Sequence, residues 1–408
     1  MIIEPAQRTL SVQEYYFSRK LKEIDVLNAE RDKASLDRII NLGIGSPDGF
    51  PPVEAVEALA DYARRPDSHG YASYIGLPAL RQAFSDWYRK WYGVDLDPNG
   101  EIQPLVGSKE GILLISLTFL NKGDKVLVPD PGYPTYTSAS RMVEAEIIPY
   151  DLKEENHWWP DFDALERMDL SGVKMMWVNY PHMPTGAKAS PELYRKIVDF
   201  GLRHRILIVN DNPYSFILND KPISILAAEG AKECCLELNS LSKAHNMAGW
   251  RIGMVGGSAE MIREVLKVKS QMDSGMFKAM QMAGAAALAK GPEWFGPLND
   301  EYRRRRVEAG RIFDTVGAGY DHDSSGLFLW GKVREDNPLL EGTDEGKCLG
   351  ERISDKILYN AGVFITPGFI FGKNGENYIR VSLCAKPEVL RAANDKIAEL
   401  IASSKRQA

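Results

Sequence analysis

A chain of 408 residues, 44% hydrophobic and 26% charged, is longer than one hydrophobic core usually serves and too apolar to stay disordered, so two domains, possibly interleaved in sequence, are expected. Its net charge of −6 carries no basic stripe for nucleic acid, and no apolar run reaches membrane-spanning length. Four cysteines, two of them adjacent at Cys234 and Cys235, make no disulfide framework at this size, and six scattered histidines lack metal-ligand spacing; a cytoplasmic protein without a metal site is expected.

Residues 1–34 show few core-like features and read as an arm. Further on, Leu105-Val106, Lys125 to Val128, Val173 to Val178, Ile206 to Val209 and Arg251 to Val255 read as strands. Helix candidates such as Glu110 to Leu120, Tyr133 to Val143 and Pro191 to Arg203 lie between them. That alternation predicts an α/β fold with a mostly parallel sheet between helices. One long helical stretch rich in Met and Ala is predicted from Ala259 to Lys290, closed by Pro/Gly punctuation around Gly291 to Pro297. The run Arg303 to Arg306, flanked by Asp300, Glu301 and Glu308, reads as a solvated helix face. Short strands at Leu327 to Gly331 and Tyr378 to Leu383 belong to a second, α+β domain.

In open α/β sheets ligands bind beyond the carboxyl ends of the strands, so the residues just after each strand carry the functional signal. Val106-Gly107-Ser108-Lys109-Glu110-Gly111 runs from strand through small residues into a helix, which aims backbone N–H groups at an anion. Asp211 stands at the tip of an apolar strand, in Asn210-Asp211-Asn212-Pro213-Tyr214. Ser240-Leu241-Ser242-Lys243 sets one lysine among hydroxyls, with Arg251 eight residues on. Singly, these are a common turn, a turn-forming aspartate and a surface lysine. A lysine that is desolvated beside another cation, however, becomes a nucleophile toward carbonyls.

Eight segments in order carry a resemblance. They are Asn41 to Asp48; Tyr71 with Gly76 to Arg81; Gly107 to Gly111; Asp130-Pro131-Gly132-Tyr133-Pro134; Asn179-Tyr180-Pro181-His182-Met183-Pro184-Thr185-Gly186; Asp211 with Tyr214; Ser240 to Gly253; and Tyr378-Ile379-Arg380-Val381-Ser382. Over nearly its whole length the chain resembles the class I/II aminotransferases, fold-type I enzymes that depend on pyridoxal 5'-phosphate, and within them the aspartate and LL-diaminopimelate subgroup.

The resemblance implies a role for each residue. Lys243 would carry the cofactor as a Schiff base and then move the substrate's proton. Asp211 would pair with the ring nitrogen, Tyr214 would donate to the phenolic oxygen, and Tyr133 would stack on the ring. Asn179 and Ser242 would complete the cofactor site. Ser108, the backbone N–H of Lys109, Ser240 and Arg251 would hold the phosphate, with Tyr71 supplied by the partner of a homodimer. Arg380 would grip the substrate α-carboxylate, whose two oxygens suit a planar guanidinium, and Gly45 would lie beside it. Lys109 would meet a distal carboxylate or would stand solvated at the helix start, and both readings stay open. The implied substrates are small molecules: an L-amino acid, acidic or diaminopimelate-like, and a 2-oxo acid such as 2-oxoglutarate.

The same resemblance implies residues 1–48 as an N-terminal arm and part of a small domain, 49–287 as the large cofactor domain, and 288–408 as the small C-terminal domain. The arm is expected to pack on the partner subunit. One position departs from the family: where most members place an asparagine that donates to the phenolic oxygen, this chain has Met183, and a thioether cannot donate. Tyr214 alone, or His182, Asn179 or water, would then serve that oxygen. The alternative chemistry on the same fold is β-elimination or decarboxylation. A nucleotide-binding reading of Gly43-Ile44-Gly45 fails because it does not fit GxGxxG and Pro47 falls where a helix should be under way. Intact Lys243, Asp211 and Arg380 speak against a module without catalysis.

Overall fold

The computed structural model describes residues 2–10 and 14–407. After a short β1 (Ile40–Asn41), the chain lays down β2 (Ile102–Leu105), β3 (Lys125–Asp130), β4 (Glu146–Asp151), β5 (Val173–Val178), β6 (Leu207–Asp211), β7 (Cys235–Ser240) and β8 (Gly253–Gly256). These last seven form one sheet in the order β2-β8-β7-β6-β5-β3-β4. β4, β3, β5, β6 and β7 run parallel, whereas β8 is antiparallel to both of its neighbours. The mostly parallel sheet expected from the alternation of strands and helices is thus observed.

Because side chains alternate across a strand, the two faces of this sheet feed two different cores. Val126, Val128, Met175, Trp177, Val209, Leu236 and Leu238 pack on one face with Ile112 and Ile115 of the helix Ser108–Phe119. Leu127, Met176, Val178, Ile208 and Cys235 pack on the other with Ile197 and Val198 of the helix Pro191–His204. Burial on both faces explains why these strands read as near-continuous apolar runs.

After β8 come β9 (Ala318–Tyr320), β10 (Phe328–Val333), β11 (Val363–Phe364), β12 (Thr366–Pro367) and β13 (Tyr378–Ser382). A second sheet has the order β12-β13-β10-β9, and β11 pairs in parallel with β1. The 259–290 stretch is two helices, Ala259–Lys269 and Lys278–Leu288. Between them the Gly275 N–H donates to Asp273 Oδ1 (3.0 Å) in a turn that Gly275 closes at φ +89°, a local bond that apolar periodicity does not reveal.

The arm makes contacts of its own within the chain. Its helix Tyr16–Lys33 packs on this same chain: Ile24 joins Ile39, Leu358 and Phe364 in one cluster, and the Tyr359 hydroxyl donates to Glu23. Ile24 is the one buried apolar anchor of that helix among its described residues, too sparse a stripe to read as core from sequence.

Candidate active site

At the end of β2 the chain must turn sharply into the helix Ser108–Phe119. Gly107 does so at φ +76°, and a Cβ there would lie 2.2 Å from the Arg251 guanidinium. Glycine is required twice over, for the left-handed backbone and for the close approach. No side chain caps this helix, so the N–H groups of its first turn face outward beneath a cation. Arg251 is held there by donating to the Ala248 carbonyl (3.0 Å) and to Ser242 Oγ (3.4 Å). Ser240 Oγ donates to Ser242 Oγ at 2.8 Å. Helix N-terminus, guanidinium and two hydroxyls together make a receptor for a phosphate-like anion.

Asp211 ends β6 and is 4% exposed. The Tyr136 hydroxyl donates to its Oδ2 at 2.9 Å, Tyr136 being stacked on Trp177, while Oδ1 has no partner. Burial pushes this carboxyl up to about 7, with the Tyr136 hydrogen bond opposing. A cationic N–H aimed at Oδ1 would fill the missing bond and favour the carboxylate. The Asn179 amide donates to the Asp211 carbonyl oxygen, and its Oδ1 accepts from the Met183 N–H (2.8 Å).

Lys243 Nζ donates to the Gly45 carbonyl at 2.6 Å. Burial lowers its pKa below the ordinary lysine value, and the Arg380 and Arg251 cations press the same way. Arg380 is 3% exposed. Its guanidinium lies 3.8 Å from the Phe328 ring centre and 4.6 Å from that of Phe371, and Nη2 donates to the Gly43 carbonyl (2.7 Å). Nη1 meets only the Met183 thioether, at 3.4 Å, and Nε is unpartnered. Burial brings this guanidinium down to about 10. The site therefore holds a desolvated cation whose donors lack an anion.

One cavity of about 480 Å³ is lined by Gly45, Ser108, Lys109, Tyr133, Asn179, Asp211, Tyr214, Ser240, Ser242, Lys243, Arg251 and Arg380. Every site residue expected from sequence is thus brought together except Tyr71, which is 95% exposed and stands away from this wall. Met183 also lines the cavity. His182 does not: its Nδ1 lies 2.8 Å from Thr185 Oγ1, and burial pushes the ring down to about 3, where it stays neutral. With the Asn179 amide engaged elsewhere, Tyr214 is the hydroxyl from the expected set that lines the wall.

Sequence reasoning missed Tyr15 and Phe17, which come from the arm, and Tyr136 and Phe328. The Tyr15-Tyr16-Phe17 triplet was the available signal, three aromatics in an otherwise polar segment. Lys109 Nζ sits 5.0 Å from the Tyr15 ring centre. An anion cup, a half-satisfied buried carboxylate, an amine and the aromatic face of Tyr133 in one cavity fit pyridoxal phosphate, whose phosphate, ring nitrogen and aldehyde need those groups.

Comparison with known proteins agrees with this geometry. Residues 37–397 match the family model described as Aminotransferase class I and II. The LL-diaminopimelate aminotransferase of Maridesulfovibrio salexigens is 39% identical over 400 residues, covering 97% of this chain and 98% of that protein. The enzyme of that name from Aquifex aeolicus is 38% identical over 395 residues, covering 95% and 99%. Among solved structures, substrate-bound BacF from Bacillus subtilis superposes with a TM-score of 0.89 at 34% identity, covering 98% of both chains. A probable N-succinyldiaminopimelate aminotransferase from Thermus thermophilus reaches 0.83 at 29% identity, covering 93% of this chain and 99% of that one.

Proposed function

The chain belongs to the class I and II aminotransferases and is a pyridoxal-phosphate-dependent transaminase, and from that premise we propose that it takes its amino group from a long, dicarboxylic or diaminopimelate-like L-amino acid and passes it to a 2-oxo acid such as 2-oxoglutarate. The observation that carries this reading is the pair of cations in one cavity, Arg380 deep in the wall and Lys109 exposed at the rim. A substrate with a carboxylate at each end satisfies both. The names of the diaminopimelate aminotransferases among its relatives point the same way.

Pyridoxal phosphate, when bound, supplies an aldehyde that condenses with amines and a ring that draws electrons from the substrate Cα. Ser108, the Lys109 backbone N–H, Ser240 and Arg251 would hold its phosphate, Tyr133 would stack on its ring, Asn179 and Ser242 would complete the site, and Tyr214 would donate to its phenolic oxygen. Asp211 keeps a proton on the ring nitrogen. Arg380 would bind the α-carboxylate beside Gly45 and so orient the Cα–H bond, and the Lys243 amine would be the base that takes the Cα proton. Closing the amine and Asp211 in a largely buried site strengthens each of these contacts.

The unit we propose is a homodimer in the cytoplasm. Tyr71, exposed in one chain beside Tyr74 and Ile75, would complete the phosphate cup of the other. The four cysteines are free thiols, in keeping with a reducing compartment. In domain terms the reading keeps 49–287 as the cofactor unit, with 1–48 and 288–408 outside it.

A panel of amino donors with 2-oxoglutarate tests the substrate class. Donors with a distal carboxylate are expected to exceed alanine and leucine in kcat/KM by about tenfold or more. Lys109→Met is expected to remove about 10- to 100-fold of that advantage, the worth of a charged hydrogen bond, without slowing the neutral donors. A preference for neutral aliphatic donors that Lys109→Met leaves intact would contradict the reading.

A further inference from the structure

The run Arg303 to Arg306 divides by helical position. Arg303 and Arg304 are exposed and pair with Asp300 (2.7 Å) and Glu301 (2.6 Å) on the surface of the helix Pro292–Val316, as a solvated face should. Arg305 instead falls on the inward stripe with Tyr302, Ala309 and Ile312, at the three- and four-residue spacing of one helix face. Its side chain is 8% exposed. Nη1 donates to Asp48 Oδ1 (2.6 Å) and to the Leu383 carbonyl (3.2 Å), Nη2 donates to Asp48 Oδ2 (3.3 Å), and Nε donates to Glu301 Oε1 (2.9 Å).

Asp48 ends the segment from Gly43, whose first three carbonyls each accept a side-chain hydrogen bond. The Gly43 carbonyl accepts from Arg380 Nη2 at 2.7 Å, that of Ile44 from Ser382 Oγ at 2.8 Å, and that of Gly45 from Lys243 Nζ at 2.6 Å. One short strap therefore touches both principal cations of the site. It contains two glycines and would be free to drift without an anchor at its outer end. The fork of Arg305 on Asp48 is an anchor there, two residues before the Phe50 carbonyl that accepts from the Asn246 amide (3.1 Å). An ångström of misplacement at a reacting site costs on the order of a hundredfold in rate.

We propose that Arg305 is a positioning residue for transamination: its two-pronged bond to Asp48 fixes the Gly43–Asp48 strap so that its carbonyls keep Arg380 and Lys243 in register. The inference rests on the reading of this cavity as the active site. Lysine at 305 would keep the charge and lose the fork, and asparagine at 48 would keep the shape and lose the charge.

The experiment compares wild-type holoenzyme with Arg305→Lys, Asp48→Asn and the double variant. Two quantities are read: kcat/KM, and the affinity for a non-reacting dicarboxylic acid, followed through the absorbance of the bound cofactor. Each single variant is expected to lose about 10- to 100-fold in both, with cofactor content unchanged, and the double variant is expected to lose no more than the worse single, since both break one interaction. Values within twofold of wild type in both singles, additive losses, or a loss that only follows cofactor release or a lowered melting temperature would overturn the proposal. Should Arg305→Lys fold poorly, Asp48→Asn, at the more exposed end of the pair, decides alone. A wild-type protein that binds cofactor yet never transaminates would sink the functional reading instead, and the absorbance titration would still report on the strap.

Discussion

Replacing Asp211 with alanine is expected to leave the cofactor bound while cutting transamination by several orders of magnitude. The carboxylate is buried at the tip of β6, one oxygen engaged by Tyr136 and the other without a hydrogen-bond partner. Burial, opposed by the Tyr136 hydrogen bond and the Lys243 charge, pushes it up to about 7, and a cation placed against Oδ1 would make its charge favourable there. A protonated ring nitrogen is that cation, and the proton it carries is what lets the ring absorb the negative charge developing at the substrate Cα. Alanine removes the reason for the proton to stay. The phosphate cup at Ser108, Ser240 and Arg251 is untouched, so cofactor content should hold. Because alanine also leaves the Tyr136 hydroxyl without its acceptor, at about 1–3 kcal/mol, Asp211→Asn is the companion variant: it keeps an oxygen for Tyr136 but no charge. Both variants are expected to fall together in single-turnover rate. Near-normal turnover in either would mean that the ring nitrogen has another partner.

The second large effect is expected at Arg380. Arg380→Lys should lower kcat/KM by about tenfold to a thousandfold, roughly 1.5 to 4 kcal/mol, for a change that keeps the charge. The guanidinium is stacked on Phe328 and approached by Phe371, and its free donors face a cavity in which a weak thioether acceptor, that of Met183, is its nearest side-chain partner. A carboxylate entering that cavity would gain two parallel N–H bonds and relieve a buried cation of its desolvation. An ammonium offers one point charge, cannot lie flat between the rings and ends short of the same place. The control is a donor amine that lacks the α-carboxylate. Its rate should hardly change, so the preference for amino acid over plain amine should collapse. An unchanged kcat/KM for the amino acid would show that the α-carboxylate docks elsewhere.

Much of this was legible in the residues because the chemistry sits at strand ends. Asp211 and Ser240 close β6 and β7, and Ser108 opens the helix after β2, so apolar runs that mark strands also mark the site. What stayed hidden depends on contacts far apart in sequence or on local bonds that break periodicity. The turn at Asp273 to Gly275 splits a stretch whose apolar pattern is continuous. The arm helix holds to its own chain through one buried isoleucine, the partly buried Tyr16, Phe17 and Leu27, and a few polar contacts, so composition could not say where it docks. Tyr15 and Phe17 reach the cavity only because that helix begins there. Arg305 looked like its neighbours, and only the position of Asp48 across the fold separates it from them. Tyr71 is the converse case, a residue with a role implied by resemblance that stands exposed and away from this chain's own cavity.

Lys243 is the amine proposed to carry the cofactor. It lines the cavity beside Asp211, and burial with two neighbouring guanidinium groups lowers its pKa, which favours the free amine. Lys109 shares the same wall but stands exposed at the rim. Borohydride reduces a carbon–nitrogen double bond between cofactor and lysine and makes the link permanent, so the yellow holoenzyme can be reduced, digested and mapped. The expected result is one modified peptide, carrying the adduct on Lys243, and no such adduct in Lys243→Ala. An adduct on Lys109 or any other lysine of the wild-type protein would contradict the central assignment.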